Sequence, residues 1–491
     1  MNGAGAPRTL AQFARDCGGV LQGADAPYAE VLIDSRRIAR GDLFCALPGT
    51  RVDGHGYVAA AAAAGAAGAL VAHAVDAPIA QVVVADVAAA MAAAARAVRM
   101  RYAGTVLGVA GSNGKTTTKE MLAAILAQLG PCLATRGNLN NALGVPLTLL
   151  RLGGNDAGAA ASAVIEMGAN HAGDVAALCA IASPRIGLVT NAGAEHLEGF
   201  GSLEGVARAE GEMFAALGAD GVAVLNVDDD YAPLWRSMTR ARVVGFGLGA
   251  DADVRATDVR LEASADGFRT RFRLVLTARA VAPALHAGAG AGTGAGTGDD
   301  LAGQGVDISL ALAGSHNVHN ALAAAAAALA AGATLAHVAD GLAQVRPVEG
   351  RLQLKRGAHD AWLIDDTYNA NPSSVRAALG MLAALPGRRW LVLGDMAELG
   401  AHAESSHREA GALARASGVE RLWAYGPLAA LAADSFGAGA ARSSDLGGLA
   451  GELRPQLAAD VRLLVKGSRV NRLERLVAAL QPGGAGAPAA H

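Results

Sequence analysis

The stretch that most restricts what this chain can fold into is Gly108-Val109-Ala110-Gly111-Ser112-Asn113-Gly114-Lys115-Thr116-Thr117-Thr118. The apolar run Val106 to Ala110 reads as a buried strand, and Met121, Leu122, Ile125, Leu126 and Leu129 follow at helical spacing until Gly130-Pro131 stops them. A strand, a loop and a helix N-terminus in that order turn backbone N–H groups and the positive end of the helix dipole toward one point, which suits polyphosphate. In such a loop Gly111, Ser112, Asn113, Gly114 and Thr117 surround the nucleotide, Lys115 reaches the β/γ-phosphates, and the Thr116 hydroxyl sits on Mg2+. The general pattern wants glycine at position 109, where this chain has Val109 between Gly108 and Gly111. The alternative is an ordinary glycine-rich turn, against which stands the placement of Gly-Lys-Thr between a strand and a helix.

At 491 residues the chain is too long for one core, and the size prior gives about three domains. Hydrophobic residues make up 52%, much of it alanine. No stretch of about 18 consecutive large apolar residues appears, so no membrane insertion is expected. A net charge of -3 from 41 basic and 44 acidic side chains gives no basic footprint, which argues against nonspecific nucleic-acid binding. Cys17, Cys45, Cys132 and Cys179 lie far apart without metal-ligand spacing and are expected to be small buried hydrophobes in a reducing compartment. Met1 to Arg15 holds no apolar h-region, so no signal peptide is expected and the protein is placed in the cytoplasm.

Residues 1–104 read as a first unit without a phosphate loop. Its densest polar clusters are Asp34-Ser35-Arg36, Gly41-Asp42 and Asp53-Gly54-His55-Gly56. Asp34, Ser35 and Arg36 are either a turn with a solvated ion pair, the commoner fate, or a phosphate- or uracil-binding group in which the guanidinium fork matches oxygens. From 105 to 347, strand-like runs at 163–167, 186–191 and 222–226 alternate with helical ones, as in a mainly parallel sheet with ligands at the carboxyl ends of its strands. Glu166 and His196 follow two of those runs, where such groups either cap the next helix or face Mg2+ or water. Residues 286–305 are almost only Gly, Ala and Thr, a low-complexity loop to which no function is assigned. A strand over 306–313 then leads into His316-Asn317-Val318-His319-Asn320, which either caps an alanine-rich helix or edges a nucleotide base.

The third unit, 348–491, alternates again. Its strands at 361–364, 390–393, 422–425 and 463–465 run into Asp365-Asp366-Thr367-Tyr368-Asn369-Ala370-Asn371-Pro372, Gly394-Asp395-Met396, Gly426-Pro427 and Lys466-Gly467-Ser468-Arg469. Polar clusters at four equivalent strand ends are a second ligand face, although loops are polar anyway.

In this order the motifs resemble those of the Mur ligases, ATP-dependent amide-forming enzymes of peptidoglycan assembly. The resemblance covers nearly the whole length and includes Asn138-Leu139-Asn140-Asn141, Glu166-Met167-Gly168-Ala169 and Gly350-Arg351 as well as the phosphate loop. The segment Asp365 to Pro372 is similar to that of the dipeptide-adding branch, and the Asp-Asn-Pro-Arg of the diaminopimelate-adding branch is absent. The resemblance implies three α/β domains: a small N-terminal substrate domain over 1–104, a central P-loop ATPase domain with a mainly parallel sheet over 105–347, and a C-terminal Rossmann-like domain over 348–491, closing about hinges near 104 and 348. It implies ATP and Mg2+ as cofactors, UDP-N-acetylmuramoyl-tripeptide and D-alanyl-D-alanine as substrates, and a monomer; a folylpolyglutamate synthetase-like or other Mur-type amide ligase is the alternative. Thr116, Glu166 and His196 would hold metal, Lys115 the transferring phosphate, Asn317, Arg351 and Asp366 the nucleotide. Asp34, Ser35, Arg36, Asn140, Asn369, Asn371, Lys466 and Arg469 would lie toward substrate. The family usually carries a lysine, carbamylated in several members, where this chain has Glu210 before Gly211-Glu212. Glu210 then either supplies the missing anion as a carboxylate or is a solvated helix residue.

Overall fold

A computed structural model describes residues 8–49, 52–153, 160–194, 197–264, 267–277 and 303–484. Among them the strands form three sheets in a three-domain α/β arrangement. The first sheet holds β1 (Val20–Gln22), β2 (Val31–Leu32), β3 (Leu43–Cys45), β4 (Gly68–Val71) and β5 (Gln81–Val83) in the order β1-β5-β4-β3-β2, parallel except for β1.

The second sheet is built from β6 (Thr105–Ala110), β7 (Cys132–Ala134), β8 (Ser162–Glu166), β9 (Ile186–Val189), β10 (Val222–Asn226), β11 (Arg242–Gly247), β12 (Val254–Ser264), β13 (Gly267–Leu276) and β14 (Gly305–Leu310). Its order is β14-β13-β12-β11-β10-β9-β6-β8-β7, parallel from β7 to β12 and antiparallel beyond. The first strand, β6, therefore sits between β8 and β9, so the loop after it opens at a switch point of the sheet, where ligands bind in doubly wound folds. The third sheet holds β15 (Gln353–Arg356), β16 (Trp362–Asp366), β17 (Arg388–Gly394), β18 (Arg421–Tyr425), β19 (Ala440–Ser443) and β20 (Val461–Lys466), ordered β15-β16-β20-β17-β18-β19 and parallel except for β15.

Alanine explains the packing of the central domain. In the helix Ser315–Ala330 the residues Ala323 to Ala328 are all buried, because small side chains let this helix lie close to the helix Lys115–Leu126 and to the sheet. A glycine serves the same purpose nearby: a Cβ on Gly341 would stand 2.5 Å from the Ile125 Cα. The P-loop helix is thus clamped from two sides.

The sequence-based strands reappear with small shifts, such as 162–166 for 163–167, and the run expected over 306–313 ends at Leu310. The pair β12–β13 was not foreseen, although Phe268, Thr270 and Phe272 are buried in strict alternation with exposed Arg269, Arg271 and Arg273. Most of the Gly/Ala/Thr loop, 286–302, lies outside the described residues. Residue 104 does not divide two independent bodies. The helix Val87–Arg101 packs on the helices Gly144–Leu150 and Asp174–Ala182, Arg96 and Arg99 donate to the carbonyls of Ala180, Ala182 and Ser183, and one apolar cluster runs from Leu10 and Phe13 through Met91 to Leu149 and Leu178. A hinge there is at odds with that packing. All four cysteines are free thiols, Cys45 and Cys179 buried and Cys17 and Cys132 partly so. Among the described residues no helix is long and apolar enough to cross a membrane.

Candidate active site

The loop leaving β6 is shaped by two glycines. Gly111 (φ 116°) and Gly114 (φ 82°) are in the left-handed region, and a Cβ on either would stand 2.2 Å from Thr190 Oγ1 or 2.3 Å from Asn320 Oδ1 respectively. The helix begins at Lys115, so its first amides stand at the positive end of the helix dipole beside the cleft, while the amides of Gly111, Ser112 and Asn113 donate to Glu210 Oε2, the Asn191 carbonyl and Asn191 Oδ1. The Lys115 ammonium rests on the carbonyls of Gly111 and Ser112.

Beside the loop, the Thr116 hydroxyl donates to Glu166 Oε1 (3.2 Å), and Asn140 Nδ2 donates to the same oxygen (2.9 Å). Glu166 ends β8 and is buried. Its other oxygen, Oε2, accepts no hydrogen bond among the described residues and lies 3.6 Å from the Nζ of Lys119. Lys119, fully buried one turn beyond Thr116, was not singled out in the sequence; the signal would have been a lysine inside the apolar helical stripe Met121-Leu122-Ile125.

Glu210, in the helix Leu203–Ala215, is 2% exposed. Its Oε2 accepts from the Gly111 N–H at 2.6 Å. It is therefore no solvated helix residue: its carboxylate braces the phosphate loop from behind and is not among the groups lining the cleft.

The opposite wall comes from the C-terminal domain. At the end of β16, Asp366 Oδ2 accepts from the buried Lys466 Nζ of β20 at 2.6 Å, and that ammonium also donates to the Asn369 carbonyl (3.0 Å). The Arg351 guanidinium lies 4.2 Å over the Tyr368 ring, with its Nε buried and unpartnered. Asn371 caps the helix Pro372–Ala383 and reaches across the cleft, donating to Asn113 Oδ1 (2.9 Å), while Asn113 Nδ2 donates to Ser373 Oγ (2.9 Å). These two bonds join the phosphate loop directly to the third domain. Sequence reasoning missed Ser373, since nothing in a helix's second residue announces a partner 260 positions away.

The third side is the start of the helix Ser315–Ala330. Asn317 is buried, donating to the Ala313 carbonyl and accepting from Asn320 Nδ2. His319 Nε2 meets Asp228 Oδ2 at 2.8 Å. His316 is held neutral: burial, with a smaller contribution from the Lys466 ammonium, outweighs the pull of Asp366 and brings its pKa down to about 4. These walls enclose a cavity of about 590 Å³, lined by loop residues 112–117 with Asn140, Glu166, Asn317, Arg351, Asp366, Asn369, Asn371 and Lys466.

Three expected site groups are elsewhere. Asp34, Ser35 and Arg36 do not line this cavity. They form a 3-10 turn in the N-terminal domain, with Asp34 capping it and gripping the Arg36 guanidinium at 2.9 and 2.8 Å, an exposed pair that holds the Asp34 carboxyl down to about 2. Arg469 is exposed beyond the cavity, its guanidinium 6.0 Å from the centre of the Tyr368 ring. His196 lies outside the described residues.

A phosphate loop opening between two parallel-sheet domains, with a third α/β domain fused to its flank, defines a P-loop nucleotide-dependent enzyme whose site needs two domains to be complete. Models of the Mur ligase family match in three consecutive pieces: the family's catalytic domain over residues 27–110, its middle domain over 109–328 and its glutamate ligase domain over 350–469. The chain is 39% identical to the UDP-N-acetylmuramoyl-tripeptide--D-alanyl-D-alanine ligase of Escherichia coli over 97% of its own length and 99% of the relative's. It resembles a crystal structure of MurF from Acinetobacter baumannii with a TM-score of 0.84 and 33% identity, covering 97% of this chain and 99% of that one. MurF ligase from Thermotoga maritima in complex with ADP follows at a TM-score of 0.75 and 25% identity, over 91% and 96% of the two chains. The chain belongs to the Mur ligase family.

Proposed function

We infer that the protein joins D-alanyl-D-alanine to UDP-N-acetylmuramoyl-tripeptide with consumption of ATP, giving UDP-N-acetylmuramoyl-pentapeptide, ADP and phosphate in peptidoglycan precursor synthesis. The observation that carries this reading is the single cleft in which the phosphate loop and Glu166 face Asp366, Asn369 and Lys466 of another domain, in a chain that matches the Escherichia coli ligase end to end.

A carboxylate is a poor electrophile at neutral pH, so the reaction must first supply a leaving group. The γ-phosphoryl of ATP passes to an oxygen of the tripeptide's terminal carboxylate, giving an acyl phosphate and ADP. The dipeptide's amine nitrogen attacks the acyl carbon, loses a proton, and the tetrahedral intermediate expels phosphate as the amide forms. Lys115 and the first amides of its helix bind the β/γ-phosphates and take up the charge that spreads over the transferring group. Asn317 and Arg351 serve the nucleotide, and Asp366 does so from the third domain while keeping Lys466 in place. Lys466, Asn369 and Asn371 face the incoming groups, with Arg469 at the rim, and Asp34, Ser35 and Arg36 take the UDP end. A cleft made from two domains keeps water from the acyl phosphate when it is closed.

The residues present fit Mg2+. The Thr116 hydroxyl and the Glu166 carboxylate are hard oxygen donors in contact at the cleft wall. No group of three His, Cys, Asp or Glu suited to a metal occurs among the described residues, which agrees with an ion that takes most of its ligands from phosphate and water. We assign His196 to the same ion. Bound there, Mg2+ supplies positive charge to the transferring phosphoryl.

We place the domain limits at 1–104, 105–347 and 348–491, and the enzyme in the cytoplasm as a monomer. The test is mass detection of the product with a panel of amines: D-alanyl-D-alanine, L-lysine, diaminopimelate and L-glutamate. UDP-muramoyl pentapeptide from the dipeptide alone supports the reading. A product with L-glutamate or a single diamino acid instead would assign the chain to the folylpolyglutamate synthetase-like or another Mur-type reaction.

A further inference from the structure

We propose that Lys119 is a positioning residue for Glu166: its buried ammonium holds one carboxylate oxygen against the wall so that the other is presented to the cleft and to Mg2+. The proposal rests on the reading of Glu166 as the metal-side carboxylate. Lys119 has no exposed surface, a placement in which a leucine or methionine would pack without a desolvation cost. Its Nζ is tied down by a hydrogen bond to the Thr135 carbonyl (2.8 Å) and by Glu120 Oε1 at 3.0 Å. Thr135 also fixes Glu166 itself, because its hydroxyl accepts from the Glu166 N–H at 3.0 Å. Backbone and side chain of Glu166 are therefore both referenced to one residue.

The two carboxylate oxygens are not equivalent. Oε1 is shared by the Thr116 hydroxyl and the Asn140 amide at the cleft, whereas Oε2 accepts no hydrogen bond among the described residues and has the Lys119 ammonium at 3.6 Å. Thr116 and Lys119 are three residues apart on one helix, so they share a face and reach the same carboxylate from successive turns. Removing the ammonium would leave Glu166 as an uncompensated buried charge free to turn. Lys119 thus acts through Glu166 and touches no substrate.

The experiment is calorimetric binding of ADP to the full-length protein, with Mg2+ titrated and with EDTA. Lys119→Met is expected to raise the Mg2+ concentration for half-maximal enhancement of ADP binding tenfold or more, with binding in EDTA within twofold of wild type. Glu166→Gln is expected to do the same, and Lys119→Met/Glu166→Gln to be no worse than Glu166→Gln alone. An unaltered Mg2+ response in Lys119→Met beside an altered one in Glu166→Gln overturns the proposal, whereas an unaltered response in Glu166→Gln overturns the reading of Glu166. Equal loss of binding with Mg2+ and in EDTA also overturns it, since Lys119 would then merely hold the loop. If Lys119→Met does not fold, the double variant, which buries no lone charge, carries the test. Failure of both to melt cooperatively makes Lys119 a folding residue and rejects the proposal.

Discussion

Where the N-terminal domain meets the central one, the contact is apolar and clamped: Met91, Leu149 and Leu178 share one cluster, and Arg96 and Arg99 hold three carbonyls across the seam. Where the central domain meets the C-terminal one, the boundary contains the cleft lined by the phosphate loop and Glu166 on one side and Asp366, Asn369 and Lys466 on the other. Across it run the amide and hydroxyl contacts of Asn113 with Asn371 and Ser373, and the packing of Phe268 and Ala313, with Leu261 and Ala263 beside them, in the cluster around Leu352 and Ile364. Apolar burial resists separation in proportion to its area, while polar contacts exchange with water at little net cost. The first seam is thus the harder of the two to separate, and the second is the one that contains the cleft.

The sharpest way to break that contrast is to disable the second seam's chemistry without touching its stability. Lys115→Ala is expected to lower turnover on the order of 10³-fold with an unchanged melting temperature, as measured by phosphate release and calorimetry. Near wild-type turnover at saturating ATP would remove the phosphate-loop assignment.

Glu210→Ala should come next. It leaves the Gly111 N–H buried without its acceptor, a loss of about 1–3 kcal/mol in the loop's bound shape, and turnover should fall by about 10–100-fold. Wild-type turnover should be the same in degassed and bicarbonate-supplemented buffer, and Glu210→Lys should recover partly when bicarbonate is added. A fully active Glu210→Ala would show that the brace is dispensable.

The first seam is tested by Arg99→Ala, which removes donors to Ala182, Ser183 and Tyr102 carbonyls. Stability should drop by roughly 1–3 kcal/mol in denaturant unfolding, with KM for ATP within twofold of wild type. A changed KM with unchanged stability would reverse the roles of the seams.

His316 links the second seam to pH. Its folded value of about 4 lies below the ordinary 6.5, so between those values the unfolded chain binds more protons than the folded one. That contribution is complete above pH 6.5 and is lost as pH falls toward 4. Unfolding free energies measured across this window should fall less steeply in His316→Asn than in wild type. The smallest effect belongs to Ser373→Ala, which removes one interdomain bond. It should cost at most about 1 kcal/mol and shift KM for ATP a few-fold, visible in steady-state kinetics.

The sequence made the strand-loop-helix of residues 105–126 readable because glycine, lysine and helical spacing are all local signals. The polar strand ends at 365–372 and 466–469 were readable for the same reason. What it hid depends on distance along the chain. Glu210 meets Gly111 across 99 positions, and Asn113 meets Ser373 across 260; no periodicity encodes such pairs. Lys119 was hidden differently, since a lysine on a helix reads as solvated until the fold buries it. The β12–β13 hairpin was legible in its alternation and was missed because its arginine-rich face obscured the apolar one.

An amide ligase of this kind must couple ATP cleavage to amide formation, here in the cleft between the central and C-terminal domains. Phosphate release measured with ATP and UDP-muramoyl tripeptide, with ATP and D-alanyl-D-alanine, and with all three tests it most directly. Background release is expected with either peptide substrate alone and sustained release only when both are present; sustained release without the dipeptide, at a rate comparable to the complete mixture, would rule out that coupling.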